Sequence, residues 1–113
     1  MLQAERNDLL PGTLEMLILL TLRRGPQHGY AIAQQIKQRS EDLLQVEEGS
    51  LYPALQRILR NGWVEAKWAI SATNRRIRQY RLTPAGRKQI DKEVSRVGRL
   101  VEGLRRMMRL AES

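Results

Sequence analysis

The hydrophobic pattern changes period along the chain, and each change marks an element. Leu14, Met16, Leu17, Ile18, Leu19, Leu20 and Leu22 are apolar on nearly every helical face, which predicts a helix buried all round, in a core or an oligomer interface. Pro11-Gly12-Thr13 precedes it with Thr13 at the N-cap position, Arg23 and Arg24 fall in its last turn, and Gly25-Pro26 ends it. From about Tyr30 to Arg39 a shorter helix follows, with Ile32, Ala33 and Ile36 inward and Gln34, Gln35, Lys37 and Gln38 outward. Ser40 to Val46 reads as a connection. A third helix opens near Gly49 or Ser50, because Pro53 lacks an N–H and fits best in a first turn. Leu51, Leu55, Ile58 and Leu59 form its inner stripe, and Asn61-Gly62 closes it.

After Gly62 the period falls to two. Val64, Ala66, Trp68 and Ile70 alternate with more polar residues, which predicts a strand with one buried face. A second strand runs from Arg76 to about Thr83, and Ala72-Thr73-Asn74-Arg75 between them is the length of a hairpin turn. Trp63 and Trp68 are expected to fill the space between hairpin and helices. Thr83-Pro84 is an N-cap followed by proline at the first helical position, so a last helix begins there. Along it Ile90, Val94, Val97, Val101, Leu104, Met108 and Ala111 step alternately by four and three, a heptad seam. At 1.5 Å per residue this helix is about 40 Å long, more than one small domain can cover, and a partner chain would bury its second half.

The order helix, helix, helix, hairpin, long helix is that of a winged helix-turn-helix carrying a long C-terminal dimerisation helix. The fold class is therefore mainly α with a small β-hairpin. Residues 9–83 are assigned to the DNA-binding domain and 84–113 to the dimerisation helix. In a helix-turn-helix the second helix of the pair enters the major groove with its N-terminal residues at the base edges. Here that is the helix opening at Ser50, with the hairpin as a wing.

Charge sharpens this picture. The 113 residues carry a formal net charge of +8. Residues 1–73 hold 8 basic and 8 acidic side chains, and residues 74–113 hold 12 and 4, so the whole excess lies in the C-terminal part. Arg75, Arg76, Arg78 and Arg81 fall close together with no acid among them, a local field that attracts polyanions. With no Cys and one His, neither a thiol nucleophile, a His-paired nucleophile nor a multi-His metal site can be composed. No cofactor, metal or enzymatic activity is expected. The longest apolar run, Leu14 to Leu22, is far short of a membrane span, and no export signal is visible, so the expected compartment is the cytoplasm.

Four segments carry a family resemblance: Leu14-Glu15-Met16-Leu17-Ile18-Leu19, His28-Gly29-Tyr30-Ala31-Ile32, Gly49-Ser50-Leu51-Tyr52-Pro53-Ala54-Leu55 with Leu59 and Gly62, and Tyr80-Arg81-Leu82-Thr83-Pro84-Ala85-Gly86. In this order and spacing they resemble the PadR family of bacterial transcriptional regulators, in its smaller subfamily with a single C-terminal helix. The resemblance implies a homodimer built by the C-terminal helix together with the first helix. It also implies a palindromic operator, usually repressed, with relief by a small-molecule effector in many members. Two features depart from the pattern. Glu47 and Glu48 place two acids beside the start of the recognition helix, and no aromatic follows Tyr80, so the Trp sandwich by which some small members hold flat drugs has no counterpart here.

On these grounds the DNA-binding candidates are Tyr30, Ser50, Leu51, Tyr52, Pro53, Arg57, Asn74, Arg75 and Arg76. The dimer-interface candidates are Leu14, Leu17, Ile18, Val94, Val97, Val101, Leu104 and Met108. Individual roles stay open. Tyr52 either meets a phosphate or base or packs on the second helix. Tyr30 either reaches the DNA backbone or lies in the core. Arg57 either binds DNA or pairs with an acid such as Glu48. Arg78 and Arg81 read as strand-edge solubilisers, and His28 as a loop or helix-start residue. The leading function is a homodimeric DNA-binding repressor. The alternatives are a protein-interaction module working through the heptad helix, with a merely solubilising wing, and a membrane-surface protein. The last lacks a Trp or Phe anchor opposite the helix's Arg96, Arg99, Arg105 and Arg106.

Overall fold

A computed structural model describes residues 12–112, with side chains through Leu110. Pro11, and the start of the span assigned to residues 9–83, lie outside the described residues. The element order is α1 (Thr13–Leu22), β1 (Gln27–His28), α2 (Gly29–Arg39), α3 (Glu48–Arg60), β2 (Val64–Ile70), β3 (Arg76–Leu82) and α4 (Pro84–Glu112). The four helices and small antiparallel sheet form a winged helix-turn-helix with a long C-terminal helix, as the hydrophobic pattern predicted.

Helix α1 runs through the middle. Ile18, Leu19 and Leu22 are fully enclosed, meeting Ile32 and Ile36 from α2, Leu51, Leu55 and Ile58 from α3, and Ile90 from α4. Each such side chain stabilises the fold by about 1.5–3 kcal/mol through burial. The start of α1 differs from the expectation. Gly12, at φ +85°, is the N-cap, and the Thr13 hydroxyl is buried with no hydrogen-bond partner among the described residues. Thr13 has already entered the helix, so its side chain no longer reaches back over the free N–H groups. Arg23 is the C-cap and Arg24 lies beyond it, so neither falls in the last turn.

Helix α3 begins at Glu48, one to two residues earlier than expected, with Glu47 as a backbone N-cap. Pro53 therefore lies in the second turn, and the carbonyl of Gly49, four residues before it, loses its helical donor. That carbonyl sits at an exposed glycine where water can meet it.

Three strands form the sheet, in the order β1-β3-β2, all antiparallel. The short β1 was not predicted, because two residues carry no readable period. The hairpin register pairs Val64 with Leu82, Ala66 with Tyr80, Trp68 with Arg78 and Ile70 with Arg76. Only the base of the apolar face is covered: Val64 and Tyr80 are buried, whereas Trp68 and Ile70 are exposed. Trp63 packs against the core as expected, but Trp68 does not. The alternation of β2 continues beyond the reach of the helices that bury its first residues.

The junction of wing and α4 is closely built. The Thr83 hydroxyl accepts from the Gly86 N–H at 3.0 Å and donates to the Gly62 carbonyl at 2.7 Å, so one side chain caps α4 and ties down the end of α3. The Thr83 N–H donates to the Trp63 carbonyl at 3.1 Å. Gly86 is buried there, and a Cβ on it would overlap the Trp63 carbonyl oxygen and lie 3.1 Å from Leu82 Cδ2. Backbone cannot yield as a flexible side chain can, so Gly86→Ala should cost about 3 kcal/mol. Thermal unfolding by circular dichroism checks this: a melting temperature close to that of the parent would contradict the close approach.

Candidate nucleic-acid interface

The first turns of α3 set the candidate surface. Ser50, Tyr52, Pro53, Gln56, Arg57 and Arg60 are all exposed, while Leu51, Ala54, Leu55 and Ile58 turn inward. Leu51 was among the DNA-binding candidates and is removed from them. Its position on the helix aims it at the core, and at 1% exposure it has no surface to offer a ligand.

Tyr52 is 44% exposed, and its ring lies on the first residue of α2. A Cβ at Gly29 would sit 3.2 Å from Tyr52 Cε1, so a glycine there lets the ring settle against the backbone. Packing on α2 and an outward-facing edge are thus compatible in one side chain. Tyr30, one residue on, is 64% exposed and not part of the core. His28 caps α2: its Nδ1 accepts from the Ala31 N–H at 3.4 Å, a helix-start role within the range expected from sequence.

An open cleft of about 330 Å³ brings these residues together with the wing. His28, Gly29, Tyr30, Tyr52, Ile77, Arg78 and Tyr80 line it. Burial raises the pKa of the Tyr80 phenol above its ordinary value, opposed by the positive charge of Arg78, so the hydroxyl is a neutral donor at physiological pH. Arg78, read from the sequence as a solubiliser, and Tyr80 were both missed as site residues. The strand period gives their faces but not the cleft across which β3 meets α2 and α3.

At the wing tip Asn74 adopts φ +62°, the left-handed conformation that asparagine tolerates better than most side chains. Its N–H donates to the Ser71 carbonyl at 2.9 Å, the Ser71 N–H donates to the Arg75 carbonyl at 2.8 Å, and the Arg75 N–H donates to Ser71 Oγ at 3.1 Å. Asn74 and Arg75 are exposed on the turn these bonds fix, and Arg76 is exposed at the start of β3. Arg81 is tied across the strands to Glu65 at 3.0 Å. No acid among the described residues pairs with Arg75, Arg76 or Arg78.

Arg57 takes a partner the sequence did not suggest. Its Nε donates to Glu15 Oε2 at 2.6 Å, bridging α3 to α1 rather than reaching Glu48 in its own helix. Glu47 and Glu48 remain exposed at the start of α3, where acidic groups favour the positive end of the helix dipole.

The dimer candidates divide. Ile18 is fully enclosed within its own chain, and Leu14 is buried with it, so the first helix supplies core at these positions rather than an interface; Leu17 is half-buried. On α4, Val94, Val101, Leu104 and Met108 are exposed and Val97 is half-buried, with Leu100, Met107 and Leu110 exposed beside them. No helix among the described residues is long and apolar enough to cross a membrane. Nor do three His, Cys, Asp or Glu side chains gather among those residues as a metal site would need.

Comparison with known proteins agrees with this fold. A structure of a transcriptional regulator from Clostridium thermocellum superposes with a TM-score of 0.75 at 26% identity, over 84% of this chain and 89% of that one. A PadR family regulator from Eggerthella lenta gives 0.71 at 26%, over 86% and 82%. Bacillus subtilis PadR, solved in complex with operator DNA, gives 0.66 at 24%, over 74% of this chain and 47% of that one. Among curated sequences, uncharacterized protein X of Lysinibacillus sphaericus is 28% identical over 89 residues, 79% of this chain and 82% of that protein. An uncharacterized 37.1 kDa protein in transposon TN4556 of Streptomyces fradiae is 41% identical over 88 residues, 76% of this chain but 23% of that protein, so the chain spans under a quarter of its length. The model of the transcriptional regulator PadR-like family matches residues 18–92, through the core helices, the recognition helix, the wing and the start of α4; the chain belongs to that family of transcriptional regulators.

Proposed function

We propose that the chain is a homodimeric, sequence-specific DNA-binding repressor acting on a palindromic operator in the cytoplasm. Residues 9–83 would read the DNA and residues 84–113 would hold the dimer. The observation that carries this reading is the cleft that sets Tyr30 and Tyr52, at the mouth of the recognition helix, against Arg78 of the wing. A groove-inserted helix and a basic wing must face one duplex together, and this cleft gives them a common side. Ser50 and Pro53 of α3 are exposed as well, as are Arg75 and Arg76 of the wing. The likeness of the fold to a PadR seen on operator DNA supports the same reading.

The apolar strip on α4 supports the dimer. Val94, Val101, Leu104 and Met108 are exposed along one heptad seam, the last three of them in the distal half of the helix. Heptad seams are buried by a second helix, and a copy of the same chain supplies one. Two recognition helices about 34 Å apart would then address half-sites one turn apart.

Two outcomes test the reading. The protein should bind the DNA upstream of its own gene more tightly than scrambled DNA between about 50 and 200 mM salt. Replacing Arg75 and Arg76 by Ala should weaken both complexes and flatten the salt dependence by about 0.9 per lost phosphate contact. Binding that ignores both arginines, or no binding at low salt, would sink the proposal and turn attention to a protein partner for α4. Separately, Leu104→Asp should shift the protein from dimer to monomer in analytical ultracentrifugation, with helix content kept over residues 13–90. A parent protein that is monomeric at micromolar concentration would remove the dimer.

A further inference from the structure

The hairpin face that carries Val64 and Tyr80 into the core continues toward the wing tip as Trp68, Ile70, Arg78 and Arg76. Arg78 stands opposite Trp68 across the ladder, and Arg76 is the diagonal neighbour. The guanidinium carbon of Arg76 lies 4.4 Å from the indole centroid, and that of Arg78 lies 5.7 Å from it. The indole is 55% exposed, so it fills no core, and both cations lie within about 6 Å of its centroid.

A guanidinium over an aromatic ring is attracted by the ring's negative face, and it carries its N–H donors in its own plane. Neither Arg76 nor Arg78 has an acidic partner among the described residues, whereas Arg81 of the same strand is held by Glu65. Arg78 also lines the cleft that contains Tyr30 and Tyr52. The indole thus attracts both cations, Arg76 the more closely, and no hydrogen bond among the described residues occupies their guanidinium N–H groups. Ordering a long side chain on binding costs free energy, and a group already held costs less.

We propose that Trp68 is a positioning residue for DNA binding, its indole holding Arg76 and Arg78 as a preset pair of phosphate donors. Arg78 is thereby a DNA contact, and the inner face of the wing, beyond its tip, meets the nucleic-acid backbone. This rests on the DNA-binding reading above and refines it. Because phosphate contacts are independent of sequence, its test does not need the operator.

The experiment is fluorescence anisotropy with a labelled duplex of scrambled sequence, from about 50 to 200 mM salt, on the full chain. Trp68→Ala should bind about tenfold more weakly, a difference of about 1.4 kcal/mol. The slope of log affinity against log salt should not change, since both charges remain. Arg76→Ala with Arg78→Ala should flatten that slope by about 0.9 per lost phosphate contact. Adding Trp68→Ala to that pair should have no further effect. Trp68→Phe, which keeps an aromatic face, should recover most of the affinity, and Trp68→Leu, which keeps only apolar bulk, should not. Parent-like binding by Trp68→Ala or Trp68→Leu overturns the proposal. So does a tenfold loss that persists without the arginines, because the indole would then act on DNA by itself. A parent protein that binds no duplex at low salt overturns the DNA-binding reading and this one together, whereas the other negative outcomes leave that reading standing.

Discussion

The whole arrangement depends on α1 being apolar on nearly every side. A helix with one apolar stripe can lie on the surface, but one without a polar face must be surrounded, and here α2, α3, β3 and the first turns of α4 surround it. That requirement gathers elements distant in sequence around one axis and fixes how α3 and α4 sit relative to each other. The Glu15–Arg57 ion pair adds a polar tie at the rim of the same contact. Its worth is small for so exposed an arginine, but it turns a side chain of α3 back toward α1.

A second constraint operates at the wing base. Thr83 satisfies the start of α4 and the end of α3 with one hydroxyl, and Gly86 lets the helix rest on the Trp63 carbonyl. The hairpin leaves from Trp63 and returns at Thr83, so both its ends are held at the same place. What extends beyond is a ribbon without helices over its tip, whose inner face exchanges apolar packing for an indole with two guanidinium groups beside it. The wing is therefore fixed at its root and cationic at its end, which suits a feature that must reach a duplex without disturbing the core.

Much of this was legible in the residues. The all-apolar run of α1, the change of period after Gly62, the Thr83-Pro84 start and the heptad steps of α4 each express a local rule, and each led to the right element. The losses arose where tertiary geometry decides. Leu51 belongs to the motif that opens α3, yet helical phase turns it inward. Ile18 was assigned to the dimer interface, but the other helices of its own chain enclose it completely. Trp68 follows the strand's alternation faithfully, but alternation cannot say how far along a strand the cover extends. Arg57 finds an acid 42 residues away in sequence, a pairing that no local spacing encodes. Of the interface, the exposed face of α3 and the wing tip were readable, whereas the cleft joining them was not, since it forms only when β3 pairs with the two residues ahead of α2.

The seat of Gly86 on the Trp63 carbonyl also bears on how such a protein could be switched. Helix α4 is 29 residues long, about 43 Å at the usual rise, so a tilt of about 10° at its root would carry its far end some 7 Å, roughly a turn and a half of helix. With backbone wedged on backbone, that root is a weld rather than a hinge. Gly98 and Gly103, by contrast, stand in open space midway along the shaft. Bending would be cheapest there, which confines any lever motion to the distal arm and leaves the angle between wing and helix root invariant.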